Sequence, residues 1–249
     1  MTTKSATRVY LPDVIGQGYG DFWRCQKRYR VLKGGKGSKK STTTALNHIV
    51  RLMQYPDANL LVVRKVGDTH RSSTFAQLRW AIRRLGVDAY WRATTSPMEL
   101  TYTPTGQKIL FRGMDDPLKL ASTTVDHGVL CWVWIEEAYE IDNEADFDKL
   151  DLSVPRGNVP PPLFKQTTLT FNPWSETHWL KRRFSMRPLL MCQHTPLPIF
   201  ATSGWMIRTK RYLPGCSAII PVSSAWLVSA IGVWPTGLYM TDGRYGSLI

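Results

Sequence analysis

The chain has 249 residues, enough for one large domain with a full core, and its 43% hydrophobic and 20% charged content is ordinary for a globular protein. Its formal net charge of +13 favours polyanionic partners, nucleic acid above all, although a solvated basic surface would give the same total. The four cysteines lie far apart without a C-x-x-C pair, and no long apolar run is free of interruption, so a disulfide framework, a zinc knuckle and a membrane span are all unexpected.

Strand-like and helix-like segments alternate along the first three quarters of the chain. The predicted elements, in chain order, are a strand over 28–34, a helix over 41–55, a strand over 58–65, a helix over 69–86, a hairpin over 99–113, a short helix opened by Asp115-Asp116 and Pro117, and strands over 128–138 and 164–173. This alternation indicates an α/β fold with a mostly parallel sheet that is covered by helices on both faces.

A glycine-rich loop follows the first strand, in the segment YRVLKGGKGSKKSTTTAL from Tyr29 to Leu46. It matches the phosphate-binding pattern G-x-x-x-x-G-K-[ST], with Lys39 in place of the second glycine. The predicted nucleotide-binding residues are Gly34, Gly35, Lys36, Gly37, Ser38, Lys39, Lys40, Ser41 and Thr42. In this pattern Lys40 contacts the β- and γ-phosphates and the Ser41 hydroxyl ligates Mg²⁺.

The departure at Lys39 leaves two interpretations open. If the backbone there is left-handed, a side chain costs about 1–2 kcal/mol, and a lysine close to a triphosphate would recover part of that. The alternative is a basic, glycine-rich turn in a nucleic-acid-binding protein.

The apolar strand over 128–138 ends in Glu136 and Glu137. A buried strand that delivers two acids suits an ATP hydrolase: Glu136 would hold Mg²⁺, directly or through a water, and Glu137 would be the base or water-orienting group. The alternative is a helix start with two favourable acids. At the end of the strand over 164–173, Thr170 and Asn172 are candidates for coupling the γ-phosphate to motion, although a plain strand exit is an equal interpretation.

Five segments in this order resemble the large terminase subunit of tailed bacteriophages, of the type found in prophages of Gram-positive bacteria. They are GGKGSKKSTTTAL, LLVVRK, PTGQKILFRGMDDPLKL, VLCWVWIEEAYEI and TFNPWSETHWLKRRF. The resemblance covers roughly residues 10–187 and implies a P-loop NTPase of the additional-strand, RecA-like type, with Walker A and Walker B motifs in the loop and the acidic pair. Within this branch, Lys-Lys-Ser and Glu-Glu are variations of those motifs.

The resemblance implies an ATPase motor that drives double-stranded DNA into a capsid in the cytoplasm of a bacterial host. ATP and Mg²⁺ are the implied ligands. The implied partners are DNA, the terminase small subunit, the portal protein and further copies in a ring. Lys36 would sense or stabilise the γ-phosphate beside Lys40 and Glu137, and Phe22 or Trp23, with Gln26, would hold adenine.

The chain changes character near residue 187. Of 19 acidic residues, only Asp242 lies beyond it, and the remaining segment is rich in Pro, Ser and Trp without a clear period. We expect a P-loop ATPase domain over 1–187 and an irregular segment over 188–249, and we hypothesise that a frameshift near 183–187 produced it. One carboxylate cannot build the two-metal nuclease site of the family, so nuclease activity is not expected.

Two other functions are consistent with the same residues. One is a degenerate prophage remnant that only binds nucleic acid or nucleotide. The other is a different P-loop DNA motor, such as a helicase or repair protein, which would require further helicase motifs and a second RecA-like domain. DNA sequence across the junction tests the frameshift: a plausible domain in another frame supports it, and the lack of one refutes it.

Overall fold

The structure is a computed structural model that describes residues 7–155, 158–172 and 175–185, together with strand segments at 191–194, 218–220, 225–226, 238–241 and 244–247. The strands are β1 (Thr7–Val9), β2 (Tyr29–Lys33), β3 (Ala58–Arg64), β4 (Trp91–Thr95), β5 (Met98–Tyr102), β6 (Lys108–Gly113), β7 (Val129–Glu136), β8 (Gln166–Phe171), β9 (Met191–His194), β10 (Ala218–Ile220), β11 (Ala225–Trp226), β12 (Leu238–Thr241) and β13 (Arg244–Ser247). The helices are α1 (Leu11–Ile15), α2 (Gly20–Arg24), α3 (Lys40–Gln54), α4 (Thr74–Arg84), α5 (Pro117–Ala121), α6 (Glu144–Ser153) and α7 (Trp179–Ser185), with short 3-10 turns at Gly67–His70, Asp88–Tyr90 and Ala138–Glu140.

One eight-stranded sheet organises the described residues, in the order β4-β5-β6-β3-β7-β8-β2-β9. The six strands from β6 to β9 in that order run parallel, and β4 and β5 add an antiparallel edge. Strand β8 lies between β2, which precedes the glycine-rich loop, and β7, which ends in the acidic pair. This is the additional-strand arrangement that the sequence analysis expected.

Helices cover both faces of this sheet. On one face α3 and α4 pack through an apolar stripe that includes Leu46, Ile49 and Leu78. On the other face α6 and α7 bury Phe147 and Trp179 against the strands. Full burial of one such side chain contributes roughly 1.5–3 kcal/mol, so the two apolar layers hold the sheet between them.

The main predicted elements are confirmed, with shifts at their ends. The predicted helix over 69–86 is a 3-10 turn followed by α4, and the hairpin over 99–113 is the pair β5–β6. Strand β4 and helices α6 and α7 were not predicted.

Cys25 is disulfide-bonded, although the scattered cysteines suggested no disulfide framework, and Cys131 is a buried free thiol.

Most of the segment over 188–249 lies outside the described residues. Within it, β9 extends the large sheet by pairing with β2, β10 pairs with β1, and β11, β12 and β13 form a small antiparallel sheet. The domain boundary after residue 187 and the frameshift stay predictions.

Within the described residues, no helix combines the length and apolarity needed to cross a membrane.

Candidate nucleotide-binding site

The glycine-rich loop, the acidic pair and the end of β8 meet at one edge of the sheet. Because β2, β7 and β8 are parallel, their carboxyl ends lie side by side, which is where ligands bind in open α/β sheets. Two hydrogen bonds join the elements: the Lys40 Nζ donates to Asn172 Oδ1 at 2.6 Å, and the Ser41 Oγ donates to Glu136 Oε1 at 2.6 Å. The structure therefore brings together side chains that are about 95 to 130 residues apart in the sequence.

The loop reaches α3 through two left-handed residues, Gly37 with φ of 81° and Lys39 with φ of 59°. The left-handed backbone at Lys39 is the conformation for which the phosphate-binding pattern uses glycine. The Lys39 ammonium donates to the Val14 carbonyl at 3.0 Å, and the Tyr19 hydroxyl donates to the Ser38 carbonyl. The segment around α1 and α2 thus supports the loop from one side, a contact that sequence reasoning did not anticipate.

Lys40 is the first residue of α3, and its side chain is only 8% exposed. Besides Asn172, its ammonium donates to the carbonyls of Gly34 at 2.7 Å and Gly35 at 3.1 Å and to Ser38 Oγ at 3.2 Å. Burial lowers the pKa of Lys40, while the nearby carboxylates act in the opposite direction. A buried ammonium at the N-terminus of a fifteen-residue helix makes this loop a suitable site for phosphate.

Glu136 is the last residue of β7 and is 8% exposed. Its carboxylate accepts from Ser41 and from the Thr170 hydroxyl, which in turn accepts from Trp134 Nε1 at 2.9 Å. Burial raises the pKa of Glu136, and the two hydroxyl donors and the charge of Arg64 oppose that shift. A buried carboxylate of this kind is stabilised by a nearby cation.

The donor set fits Mg²⁺. A carboxylate next to a serine hydroxyl supplies hard oxygen ligands, and this ion keeps several waters when bound. Among the described residues there is no group of three His, Cys, Asp or Glu side chains that could hold a metal, so the protein would supply few ligands itself. Ser41 and Glu136 are the residues that could hold the ion.

Three of the predicted residues stand at the rim of this site. Glu137 is half-buried with a left-handed backbone, φ of 53°, and opens the turn at Ala138–Glu140. It directly follows Glu136, the last residue of β7, and so lies at the same edge of the sheet. Lys36 is exposed in the middle of the loop, and Thr42 is half-buried in the first turn of α3.

The suggested adenine contacts are wrong for the aromatic residues. Phe22 is 1% exposed, and its ring packs against the Arg30 guanidinium at 4.2 Å. Trp23 is also buried, and its carbonyl accepts from Arg51. Both rings belong to the core beneath α2, where burial of apolar surface holds them. The Gln26 side chain donates to the Tyr55 hydroxyl at 3.4 Å.

Beneath α3 the structure reveals a polar layer that sequence reasoning missed. Alternate residues of β8 face the helix: Gln166 accepts from Arg51 at 2.7 Å, Thr168 accepts from Arg30 at 3.0 and 3.1 Å, and Thr170 donates to Glu136. The signal was present in the alternation of polar residues at 166, 168, 170 and 172, because alternate strand residues share one face. Their partners could not be identified from sequence, since buried arginines are rare.

Comparisons with known proteins identify the family of the chain. The family model described as phage terminase large subunit matches residues 26–190, about two thirds of the chain. The chain is 37% identical over 158 residues to the terminase large subunit of Bacillus phage SPP1, covering 62% of this chain and 37% of that protein. It is 36% identical over 160 residues to the PBSX phage terminase large subunit of Bacillus subtilis strain 168, covering 64% of this chain and 34% of that protein.

Solved structures show the same fold. The large terminase of a thermophilic bacteriophage superposes with a TM-score of 0.52 at 13% identity, over 71% of this chain and 43% of that one. The large terminase of bacteriophage HK97 superposes with a TM-score of 0.50 at 9% identity, over 68% and 35% of the two chains. The matched part is thus about a third of the length of the curated relatives and less than half of these structures.

Proposed function

The chain belongs to the phage terminase large subunit family, and on that premise we propose that it is the ATP-hydrolysing motor domain of such a subunit. The observation that carries this proposal is the pair of hydrogen bonds from Lys40 to Asn172 and from Ser41 to Glu136. They join the phosphate-binding loop to the two strand ends that an ATPase needs beside it.

The loop and the start of α3 bind the triphosphate. Lys40 exchanges its contacts with the loop carbonyls for the β- and γ-phosphate oxygens, and the α3 N-terminus adds its dipole. The exposed Lys36 lies free to approach the γ-phosphate from the loop. Ser41 and Glu136 would hold Mg²⁺, which would supply positive charge to neutralise the phosphates.

Hydrolysis proceeds by in-line attack of water on the γ-phosphate, with the protein supplying position and electrostatic stabilisation. Glu137 orients the attacking water and accepts its proton. Its left-handed backbone turns the chain sharply after β7, so that adjacent residues serve two roles: Glu136 is buried under Ser41 and Thr170, whereas Glu137 remains half-exposed at the rim.

We assign to Asn172 and Thr170 the role of reporting the state of the nucleotide, because in this scheme each contacts a residue that would bind phosphate or metal. Asn172 accepts from Lys40, and Thr170 donates to Glu136. In the intact terminase we propose that this signal drives double-stranded DNA into the capsid, in a ring of subunits that works with the small subunit and the portal protein. The net charge of +13 suits a DNA partner.

A substitution at Glu137 tests the hydrolytic site. Glu137→Gln keeps the size of the side chain but removes the base, so nucleotide affinity should stay within about 3-fold while turnover of ATP with Mg²⁺ falls at least 100-fold, in line with the size of general-base contributions. Asp88→Asn, at an exposed position in the turn before β4, should leave both values unchanged and serves as the control. Undiminished turnover in Glu137→Gln refutes this assignment.

A further inference from the structure

Arg30 on β2 is fully buried, with 0% of its surface exposed, and it faces α3 rather than solvent. Its guanidinium donates to Asn47 Oδ1 on α3 at 2.5 Å and twice to Thr168 Oγ1 on β8. It also donates to the Phe22 carbonyl at 3.3 Å and packs on the Phe22 ring. One side chain therefore connects β2, α3, β8 and α2.

Arg30 has no carboxylate partner among the described residues, and neither has the buried Arg51 nearby. A buried charge without a counter-charge is a poor way to stabilise a fold, and an apolar side chain of similar volume would serve stability at least as well. The contacts of Arg30 instead suit a role in fixing the relative positions of β2, α3 and β8.

The partners of Arg30 lie on the two elements that carry the two halves of the proposed site. Asn47 is two helical turns from Lys40 along α3, and Thr168 precedes Thr170 by one strand repeat on β8. A shift of α3 along β8 would change the distance from Lys40 to Asn172 and from Ser41 to Glu136. Hydrogen bonds from one guanidinium to both elements oppose that shift, because the guanidinium presents its donors in a rigid plane.

We propose that Arg30 is a positioning residue that sets the register between α3 and β8 and so aligns Lys40 with Asn172. The expected change in kcat rests on the proposed ATPase function. The expected change in the position of Asn172 rests only on the contacts of Arg30. Arg30 touches neither nucleotide nor metal in this scheme.

Arg28, which immediately precedes β2, offers a control on the other side of the sheet. Its guanidinium donates to Thr167 Oγ1 on β8 at 2.8 Å and forms an ion pair with Asp151 on α6 at 2.7 Å, so it joins β8 to α6 on the face of the sheet opposite α3. Arg28→Met removes an arginine–threonine contact of similar length, together with the ion pair to Asp151, without touching α3. A loss that comes from general destabilisation should appear in both variants.

Arg30→Met and Arg28→Met should be compared by turnover, nucleotide affinity and the NMR signal of the Asn172 side-chain amide. We expect Arg30→Met to lower kcat about 10-fold with Kd for ATP within 3-fold, because the loop itself stays intact, and to shift the Asn172 amide signal in nucleotide-free protein. Arg28→Met should change none of the three. Thr168→Val removes the acceptor of the Arg30–Thr168 hydrogen bonds, so it should lower kcat and shift the Asn172 signal in the same direction but less. It replaces Arg30→Met in the test if that variant does not fold.

The outcomes separate the two proposals. An unmoved Asn172 amide in Arg30→Met and Thr168→Val overturns the positioning role, whatever the turnover. Equal losses of kcat in Arg30→Met and Arg28→Met overturn it as well. A wild-type chain without turnover refutes the proposed ATPase, while the Asn172 signal still decides the role of Arg30.

Discussion

The two faces of β2 and β8 are equally buried but differ in chemistry, apart from Leu32 on the face toward α3 and Thr167 on the opposite face. Toward α6 and α7 the strands present Val31, Leu169 and Phe171, which join the apolar core on that side. Toward α3 they present Arg30 and Thr168, which are just as inaccessible to water and are hydrogen-bonded to each other.

This difference assigns separate tasks to the two faces. Apolar packing is non-directional and tolerates small displacements, so it supplies stability. Hydrogen bonds between buried polar groups are directional and costly to leave unmade, so they specify one arrangement. The polar face is the one that continues into Thr170 and Asn172, at the edge where Lys40 and Glu136 meet.

Neighbouring residues of β8 provide the strongest test of this division. Leu169→Ala should lower the free energy of unfolding by about 2–5 kcal/mol, through lost burial and a cavity, with turnover per folded molecule within 3-fold. Thr170→Val keeps the volume but removes the hydroxyl that contacts Glu136, so it should cost about 1–3 kcal/mol and lower turnover about 10-fold. Urea unfolding and steady-state kinetics measure both effects.

The division of tasks between the two faces is wrong if Leu169→Ala lowers turnover and Thr170→Val does not. A catalytic loss in Leu169→Ala that persists after correction for the folded fraction, together with normal turnover in Thr170→Val, would mean that the polar face has no special connection to the site.

The pH dependence of stability gives a second, smaller test on the polar face. Because burial raises the pKa of Glu136 above its ordinary 4.5, the folded state holds this proton more tightly than the unfolded state. Stability from this group is complete below pH 4.5 and is lost as the pH rises through the raised value. Without Mg²⁺, Glu136→Gln should therefore gain stability relative to the wild type as pH increases to 7.

Thermal unfolding at a series of pH values checks this expectation, with Asp88→Asn as the control because that residue is exposed. Parallel curves for wild type and Glu136→Gln would contradict the proposed burial of this charge.

The smallest expected effect concerns the loop above the polar face. Lys39→Gly removes a side chain from a left-handed position, which is worth about 1–2 kcal/mol, but adds about 0.5–1 kcal/mol of unfolded-chain entropy. Loss of the exposed hydrogen bond from Lys39 to the Val14 carbonyl reduces this gain, so the free energy of unfolding should rise by at most roughly 0.5 kcal/mol, with turnover retained, as urea unfolding can show. Lys36→Gly, at a residue without positive φ, should not stabilise the protein; equal changes in both variants would argue against strain at Lys39.

Sequence reasoning found the features that local pattern encodes. The loop, the acids after β7 and the polar exit of β8 follow from residue type and spacing, and the parallel alternation predicts that they meet. Sequence reasoning could not predict the left-handed backbone at Glu137, because a non-glycine residue gives no sign of that conformation. Phe22 was misjudged because an aromatic side chain serves equally in a core and in a base-stacking site. Arg30 escaped notice because its partners are 17 and 138 residues away.

The most direct test of the central claim is an equilibrium titration of the chain with a fluorescent ATP analogue and Mg²⁺, on wild type, Lys40→Ala and Lys149→Ala. Lys149 is an exposed lysine on α6 with one neighbouring ion pair, so its loss should change nothing. We predict saturable binding of one nucleotide per chain that Lys40→Ala weakens at least 10-fold. Absence of saturable binding in the wild type, or equal affinity in Lys40→Ala, would contradict the assignment of this edge of the sheet as the nucleotide site.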